Sequence, residues 1–363
     1  MTRIGFAGDA YPEINIPSYY LQDDSNFRFG SSELLKRPND QIHSFYDQNY
    51  DINEGEYLKR LFEYSQNQFL YEPSEMTALF TQPAHKVMNS NYGDRYRRMI
   101  TEQAIETYGY SGISFSSDST LASYAHCFET ATVIDFGWSC LRIVPVVEGK
   151  PVYSAITIHI GGGSVLSEIL TGNLHEIGLK LIPEGKHYSK IQSSIVQNQV
   201  ASDMILQACY YYSKNQDSEQ SEHIAYLDTR IVDLSKEMKF LSEILWITKE
   251  GGDQIVSLPA LVEKSIGQAP DSFKKSLWRN IVTCGGFSQL SGFQAKLQEE
   301  LTLNSTNMFE KCVNYPMSEI DQANFAVWVG GSILGSSHVF PRYVVNKSSW
   351  EEHGDIILSK LTK

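Results

Sequence analysis

The sequence predicts an α/β fold of two or so domains, and three observations carry that expectation. Two apolar runs end in glycine, Thr132-Val133-Ile134-Asp135-Phe136-Gly137 and Ile281-Val282-Thr283-Cys284-Gly285-Gly286, each with the form of a buried strand entering a tight turn. Arg142 to Val147, then Glu148-Gly149-Lys150, then Pro151 to Ile158 has the pattern of a hairpin with glycine at its turn. Segments with helical apolar spacing alternate with these strands, which is how sheets and helices come to be layered. At 363 residues the chain is long enough for more than one core.

The elements follow in order. Arg3 to Asp9 reads as a short strand entering a turn, and Ile14-Asn15-Ile16 as a second, stopped by Pro17. Residues 22 to 49 are polar and rich in Asn, Asp and Gln, the composition of a loop-rich excursion. Tyr57, Leu58, Leu61, Phe62 and Phe69 fall at helical spacing, and so do Tyr96, Met99, Ile100, Ala104 and Ile105 within a helix over Tyr92 to Tyr108. Between them Thr77 to Thr81 is a strand closed by Pro83. Ser119 to Phe128 is helical and leads into the strand ending at Asp135. After Gly161-Gly162-Gly163 a helix begins near Ser164, and another spans Ile195 to Tyr212. Asp217 to Glu222 is an acidic loop, and Asp271 or Ser272 caps a helix through Trp278, directly before the Ile281 strand.

Composition excludes several classes. A formal net charge of -13 disfavours a phosphate-binding surface, so direct nucleic-acid binding is not expected. Arg95-Tyr96-Arg97-Arg98 is read as a solvated helix face. No apolar run approaches the roughly 18 residues of a membrane span, and the N-terminus shows no signal-peptide core, so a soluble intracellular protein is expected. Five cysteines without C-x-x-C spacing are read as free thiols, buried except for Cys312. Asn304-Ser305-Thr306 and Asn346-Lys347-Ser348 match the glycosylation pattern by chance under that reading. The scattered histidines give no metal-ligand spacing, and there is no G-x-S-x-G, H-E-x-x-H or P-loop.

Taken together, the motifs resemble the actin and actin-related protein family in order along nearly the whole chain. Arg3-Ile4-Gly5-Phe6-Ala7-Gly8-Asp9 with Pro17-Ser18 is similar to the family's opening motif. Val133 to Gly149 resembles the second phosphate-loop hairpin, and Asn280 to Phe293 the adenosine-side motif. Ala326 to Leu334 and Lys347 to Gly354 are similar to the C-terminal signature. The resemblance implies an actin-like two-lobed α/β fold of related βββαβα subdomains around a nucleotide cleft. Its first lobe would be residues 1–122 plus 320–363, with a small outer subdomain over 19–48 that lacks the long filament loop. The second would be residues 123–319, with its outer subdomain over 164–250.

The family's nucleotide chemistry needs two facing hairpins whose backbone N–H groups clasp phosphates, carboxylates that hold Mg²⁺ through water, and side chains that orient the attacking water. On this sequence the resemblance leaves a vestigial nucleotide site of Arg3, Asp135, Gly137, Gly285 and Gly286. The family's second carboxylate position is Trp138, its His is Arg142 and its water-positioning Gln falls on Asp118. Its Lys-Glu pair falls on Ile205 and Leu206, with Cys209 kept beside them, and its adenosine-side Thr, Tyr and Lys are Phe287, Leu290 and Asn324. Asp135 either caps its turn or keeps a metal contact. Trp138, Phe287 and Leu290 are expected to pack as filler in a collapsed cleft, Arg142 to form a surface salt bridge, and Asp118 to meet Arg or solvent. The first phosphate loop and its strand, which the family places before the Arg3 strand, have no counterpart here. Either the sheet is rebuilt, or a partner fills the gap, or the recorded start is incomplete.

The implied function is that of a pseudo-ATPase, with no catalytic residue, no metal site and no cofactor (ATP with Mg²⁺ being the family's ligand). It would be a structural subunit resembling the nuclear actin-related proteins of chromatin-remodelling and histone-exchange machines. Its partners would be another actin-family protein and an amphipathic helix of a large subunit, held in a groove of Tyr108, Tyr124, Val329, Ile333 and Leu334. Two alternatives stand beside it. One is the cytoplasmic pointed-end actin-related subunit of dynactin, and the other an ATP-binding relative with slow hydrolysis.

Overall fold

The computed structural model describes residues 1–23, 26–36, 40–45, 55–84, 90–159, 161–182, 188–211, 224–227, 230–247, 256–304, 314–315 and 320–362. Cys312, the acidic loop 217–222 and most of the Asn304 acceptor pattern lie outside them. The chain divides into two compact units, residues 1–125 with 327–363, and residues 126–326.

In the first unit, β1 (Thr2–Ile4) pairs antiparallel with β2 (Ile14–Ile16), setting Arg3 opposite Asn15. The predicted first strand is therefore shorter. The chain turns at Gly8 (φ 103°), where the Gly8 N–H donates to Ser332 Oγ at 2.8 Å. The described part of the stretch read as a loop-rich excursion carries regular structure instead. β3 (Tyr19–Gln22) is flanked by β4 (Phe27–Phe29) and β5 (Gln41–Ser44), with a short helix α1 (Ser31–Lys36) between the last two. Its cause is an aromatic face, since Tyr20 lies 6.2 Å from Phe27, 5.8 Å from Phe29 and 4.9 Å from His43. Arg28 points the other way and pairs with Asp23 at 2.8 Å. A three-residue alternation is too short to stand out from polar neighbours in the sequence.

Helix α2 (Glu56–Phe69) and strand β6 (Thr77–Gln82) match their predicted segments closely. Helix α3 (Ser90–Thr101) passes into a wider π-type turn over Glu102–Thr107, then to β7 (Gly112–Ser117), which runs parallel to β6. Arg97 corrects the solvated-face reading. It is only 4% exposed and donates to Gln82 Oε1 and Asp94 Oδ1. Helix α4 (Asp118–Ala125) starts at Asp118, whose carboxylate accepts from the Ala84 and Ser119 N–H groups at 3.1 and 2.7 Å. Asp118 is thus held in part by backbone donors and stays partly open to solvent, as expected. The C-terminal helix Ile320–Ser336 crosses α4 so closely that a Cβ on Gly330 would sit 1.8 Å from Leu121 O. The core beneath joins Ile14, Ile16, Tyr57, Phe62, Ile100, Ile113 and Trp350.

The second unit is built on a mixed sheet. β8 (Ala131–Phe136) lies between β14 (Ile281–Cys284), parallel to it, and β9 (Leu141–Val147), antiparallel. β10 (Lys150–Pro151) and β11 (Thr157–His159) both pair with β9. The β9–β10 turn has positive φ at both Glu148 (50°) and Gly149 (74°), the mirror-image turn that matches strand twist. Helix α5 (Gly163–Glu176) follows the glycine run, and α6 (Lys190–Ala208) begins five residues earlier than the periodicity suggests. A capping box explains the early start, because Ser189 Oγ accepts from Gln192 N while the Gln192 side chain accepts from Ser189 N. The helix stops at Ala208 because Tyr211 N turns to Ser291 O at 2.8 Å. Beyond β12 (Ile224–Leu227), β13 (Arg230–Asp233) and α7 (Ser235–Glu243), helices α8 (Leu258–Gln268) and α9 (Asp271–Arg279) precede β14. Asp271 does not cap α9. It sits at the first helical position and pairs with Lys274 at 2.6 Å. Of the described cysteines, Cys209 and Cys284 are buried, whereas Cys127 is exposed and Cys140 intermediate, against the expectation of uniform burial.

The glycine contacts give a stability test. Gly330→Ala should destabilise by about 1–3 kcal/mol, since the clash is with backbone. Gly172→Ala, inside α5 with open space at its Cβ, should stabilise by up to about 1 kcal/mol. Thermal melts of the two variants should shift in opposite directions; a shared direction would show that the packing is misread.

Candidate functional site

The two glycine turns meet in the second unit because β8 and β14 are adjacent parallel strands, with Cys284 in register with Asp135. Gly285 has φ 90°, and a Cβ there would lie 2.5 Å from Phe136 O and 2.7 Å from Asp135 Oδ1. Only glycine allows that approach. Four of the five predicted nucleotide-site residues, Asp135, Gly137, Gly285 and Gly286, are thereby brought together. Arg3 belongs to the first unit, on β1.

The Asp135 carboxylate is engaged by Arg142, its direct cross-strand partner on β9, which donates Nη2 to Oδ2. Their side chains are 16% and 13% exposed, so this pair is largely buried and not the surface salt bridge read from the sequence. Water screens such a pair less than an exposed one.

The helix N-terminus beside the turn is also committed. Gly163 N donates to Gly137 O at 3.0 Å and Ser164 N to Trp138 O at 2.7 Å, so the first backbone donors of α5 meet the chain's own carbonyls. Gly162 is needed because a Cβ would come 2.5 Å from Cys140 N. Above it the Phe287 ring lies where a Gly163 side chain would begin, 2.2 Å from an ideal Cβ. Phe287 and Leu290 are buried as expected, and Phe287 packs against Phe136 at 5.6 Å. Trp138 corrects the filler reading. Its ring lies 6.4 Å from Phe287, yet the residue is 39% exposed. Ile205 is buried, Leu206 is exposed, and Asn324 Oδ1 lies 3.7 Å from a Cβ built on Gly286.

A hydrated divalent cation and phosphates do not fit these residues of the second unit. The Asp135 carboxylate is paired with Arg142, the family's second carboxylate position is the Trp138 indole, and the first two N–H donors of α5 are bonded to Gly137 and Trp138. Among the described residues no group of three or more His, Cys, Asp or Glu side chains is placed to hold a metal ion.

The predicted groove residues all lie in the first unit. Tyr108 is committed to α2, with its ring stacked on Phe62 at 4.8 Å and its hydroxyl donating to Lys59 O at 2.9 Å. Burial raises its pKa to about 12, so it stays neutral. Tyr124 is half-buried on α4, while Val329 and Leu334 are half-buried and Ile333 is 46% exposed on the C-terminal helix.

The actin family profile matches residues 1–363. The chain belongs to the actin family. Its mixed α/β fold is actin-like, and its relatives are actin-like proteins. It is 29% identical over 266 residues to actin-like protein 9 of Mus musculus, covering 71% of this chain and 60% of that one. It is 26% identical to actin-like protein 7A of Rattus norvegicus (72% and 57% covered) and 25% identical to actin-like protein 7B of Homo sapiens (72% and 61% covered). The match spans about 60% of the mouse relative's length.

What the sequence reading of this actin relative missed is the Phe287–Gly163 contact and the α5 backbone bonds. The Gly161-Gly162-Gly163 run was the available signal, since three successive glycines mark close approach as well as a turn.

His159, which ends β11 beside that run, sets a pH test. Gly161 N donates to its Nδ1 at 2.9 Å, and burial lowers its pKa below the usual imidazole value. The folded protein keeps the ring neutral while the unfolded chain takes up a proton below about pH 6.5, so stability is full above that pH and falls as pH drops. His159→Gln should flatten the fall in unfolding free energy below about pH 6.5; an unchanged slope would remove His159 from the explanation. Arg142→Ala should cost about 1–3 kcal/mol by removing the cation that faces the largely buried Asp135 carboxylate, and adding Asp135→Asn should recover part of it. No recovery in the double variant, measured by urea unfolding, would mean that the ion pair is incidental.

Proposed function

We propose that this actin-related chain is a non-catalytic structural subunit of a multiprotein complex, with neither ATP hydrolysis nor a resident nucleotide. The observation that carries the reading is the Asp135–Arg142 pair, which consumes the one carboxylate kept at the second phosphate turn. Phe287 against Gly163 supports it, because an apolar ring occupies space that a phosphate cradle needs.

The complex is a nuclear chromatin-remodelling or histone-exchange assembly in this reading, where the chain pairs with another actin-family protein and receives an amphipathic helix of the motor subunit. Ile333, exposed between half-buried Val329 and Leu334, offers an apolar anchor on the C-terminal helix. The net charge of -13 favours a basic helix and raises its encounter rate.

Two measurements test the proposal. Denaturing purified protein and analysing the supernatant should yield no stoichiometric ATP or ADP; a stoichiometric nucleotide would refute the pseudo-ATPase reading. Ile333→Asp should leave the melting temperature within a few degrees and deplete a co-purifying remodeller motor about tenfold, as loss of an anchor worth about 1.4 kcal/mol would. Undiminished recovery of the motor, or dynactin filament subunits in its place, would reject the assignment.

A further inference from the structure

We propose that a cleft in the first unit, between residues 98–106 and residues 347–355, is a docking site for an arginine side chain carried by a partner polypeptide. Its volume is about 560 Å³, within the range of ligand sites, and all the residues that line it belong to that unit.

The cleft comes from two matched helical spacings. Arg98, Glu102, Ile105 and Glu106 share a face of α3 and the π-type turn after it. Lys347, Trp350, Glu351 and Gly354 share a face of the short helix Lys347–His353 and the tighter turn that follows. Two ties hold these faces together. Arg98 Nη1 pairs with Asp355 at 2.9 Å, and Trp350 Nε1 donates to Glu106 Oε1 at 2.8 Å. The low-numbered end of one bank thus meets the high-numbered end of the other. The banks are antiparallel, with Glu102 and Glu351 on opposite sides of the space between the ties. Ile105 and Trp350, both buried, form its floor.

The charges on the banks do not balance. Four carboxylates, Glu102, Glu106, Glu351 and Asp355, line the cleft against two cations, Arg98 and Lys347. Arg98 is already committed to two of those acids, because its Nε donates to Glu102 at 2.8 Å. Glu106 receives an uncharged indole N–H. Among the described residues Glu351 has no ion pair or hydrogen-bond partner, although Lys347 stands four residues before it on the same helix. A cation from outside is what the cleft lacks.

Arginine fits this combination of an apolar floor and spare carboxylate oxygens. Its methylenes cover Ile105 and Trp350, while its planar fork meets Glu351 with two donors. Lysine would bring only a point charge. Among the described residues no three carboxylates converge as metal ligands do, and the surplus acid repels an anion. The side chains of Glu102 and Asp355 are 41% and 50% exposed, so water screens a lone small cation at this mouth. A polypeptide adds contacts on both sides of its arginine, which is why it is the favoured carrier. These residues are distinct from Ile333, and the inference holds whether or not a nucleotide binds.

A local readout tests it. The purified chain, labelled with 5-fluorotryptophan, is titrated with acetyl-Gly-Ala-Arg-Ala-Gly-amide to about 10 mM, and its five indole signals are followed by fluorine NMR. The Trp350 signal, assigned with Trp350→Phe, should shift saturably while the other four stay in place. The same peptide with citrulline, which keeps the shape of arginine without its charge, should leave Trp350 unmoved. Glu351→Gln should weaken binding about fivefold, the upper end for a partly exposed ion pair. Glu352→Gln, next to it but outside the lining, should change nothing. Glu351 is exposed and unpaired, so its substitution keeps the fold, and an unchanged melting temperature checks this. No saturable shift of Trp350, an equal response to the citrulline peptide, or equal effects of the two glutamate substitutions would overturn the proposal.

Discussion

The second unit depends on the close parallel pairing of β8 and β14. Their register sets Cys284 beside Asp135, which forces the chain out of both strands at one level. Gly285 then has to pass within contact distance of the Phe136 carbonyl, a position where any side chain collides with backbone. The rest of the neighbourhood follows from that constraint. The β8–β9 turn is pushed onto the start of α5, whose N–H groups bond Gly137 and Trp138 carbonyls, and Phe287 folds down over Gly163. These glycines are fixed by packing within the protein, whether or not a ligand was once held above them.

The sequence made the backbone of this arrangement legible and the side-chain fates less so. Runs such as Thr132 to Phe136 and Ile281 to Cys284 are apolar throughout, and burial on both faces leaves one reading of them. The helix over Lys190–Ala208 was recognised, but its start was not, because a capping box is a local polar signal outside the apolar period. The three-stranded sheet of β3, β4 and β5 was missed for a related reason. Its strands of three or four residues bury one aromatic face, and the polar residues between them dominate the composition. Arg97 was misread because it is satisfied by a group distant in sequence, Gln82. Trp138 failed differently. Its indole borders the apolar filler and still stays partly in solvent, a distinction of geometry that residue type does not carry.

The turn glycines and the side chains around them are constrained in different ways. A ligand-binding carboxylate is held in place by what it binds. A partly buried charge with neither ligand nor partner is costly. Arg142 is that partner, and it comes from the one position that register places directly across from Asp135. The glycines have no such freedom, since replacing Gly285 would drive a Cβ into backbone and disturb the pairing of two central strands. The geometry of the turns is therefore set by backbone packing, independently of the side chains that surround them. That difference is why the turns carry the likeness to the family, while the proposed structural role rests on the groups around them.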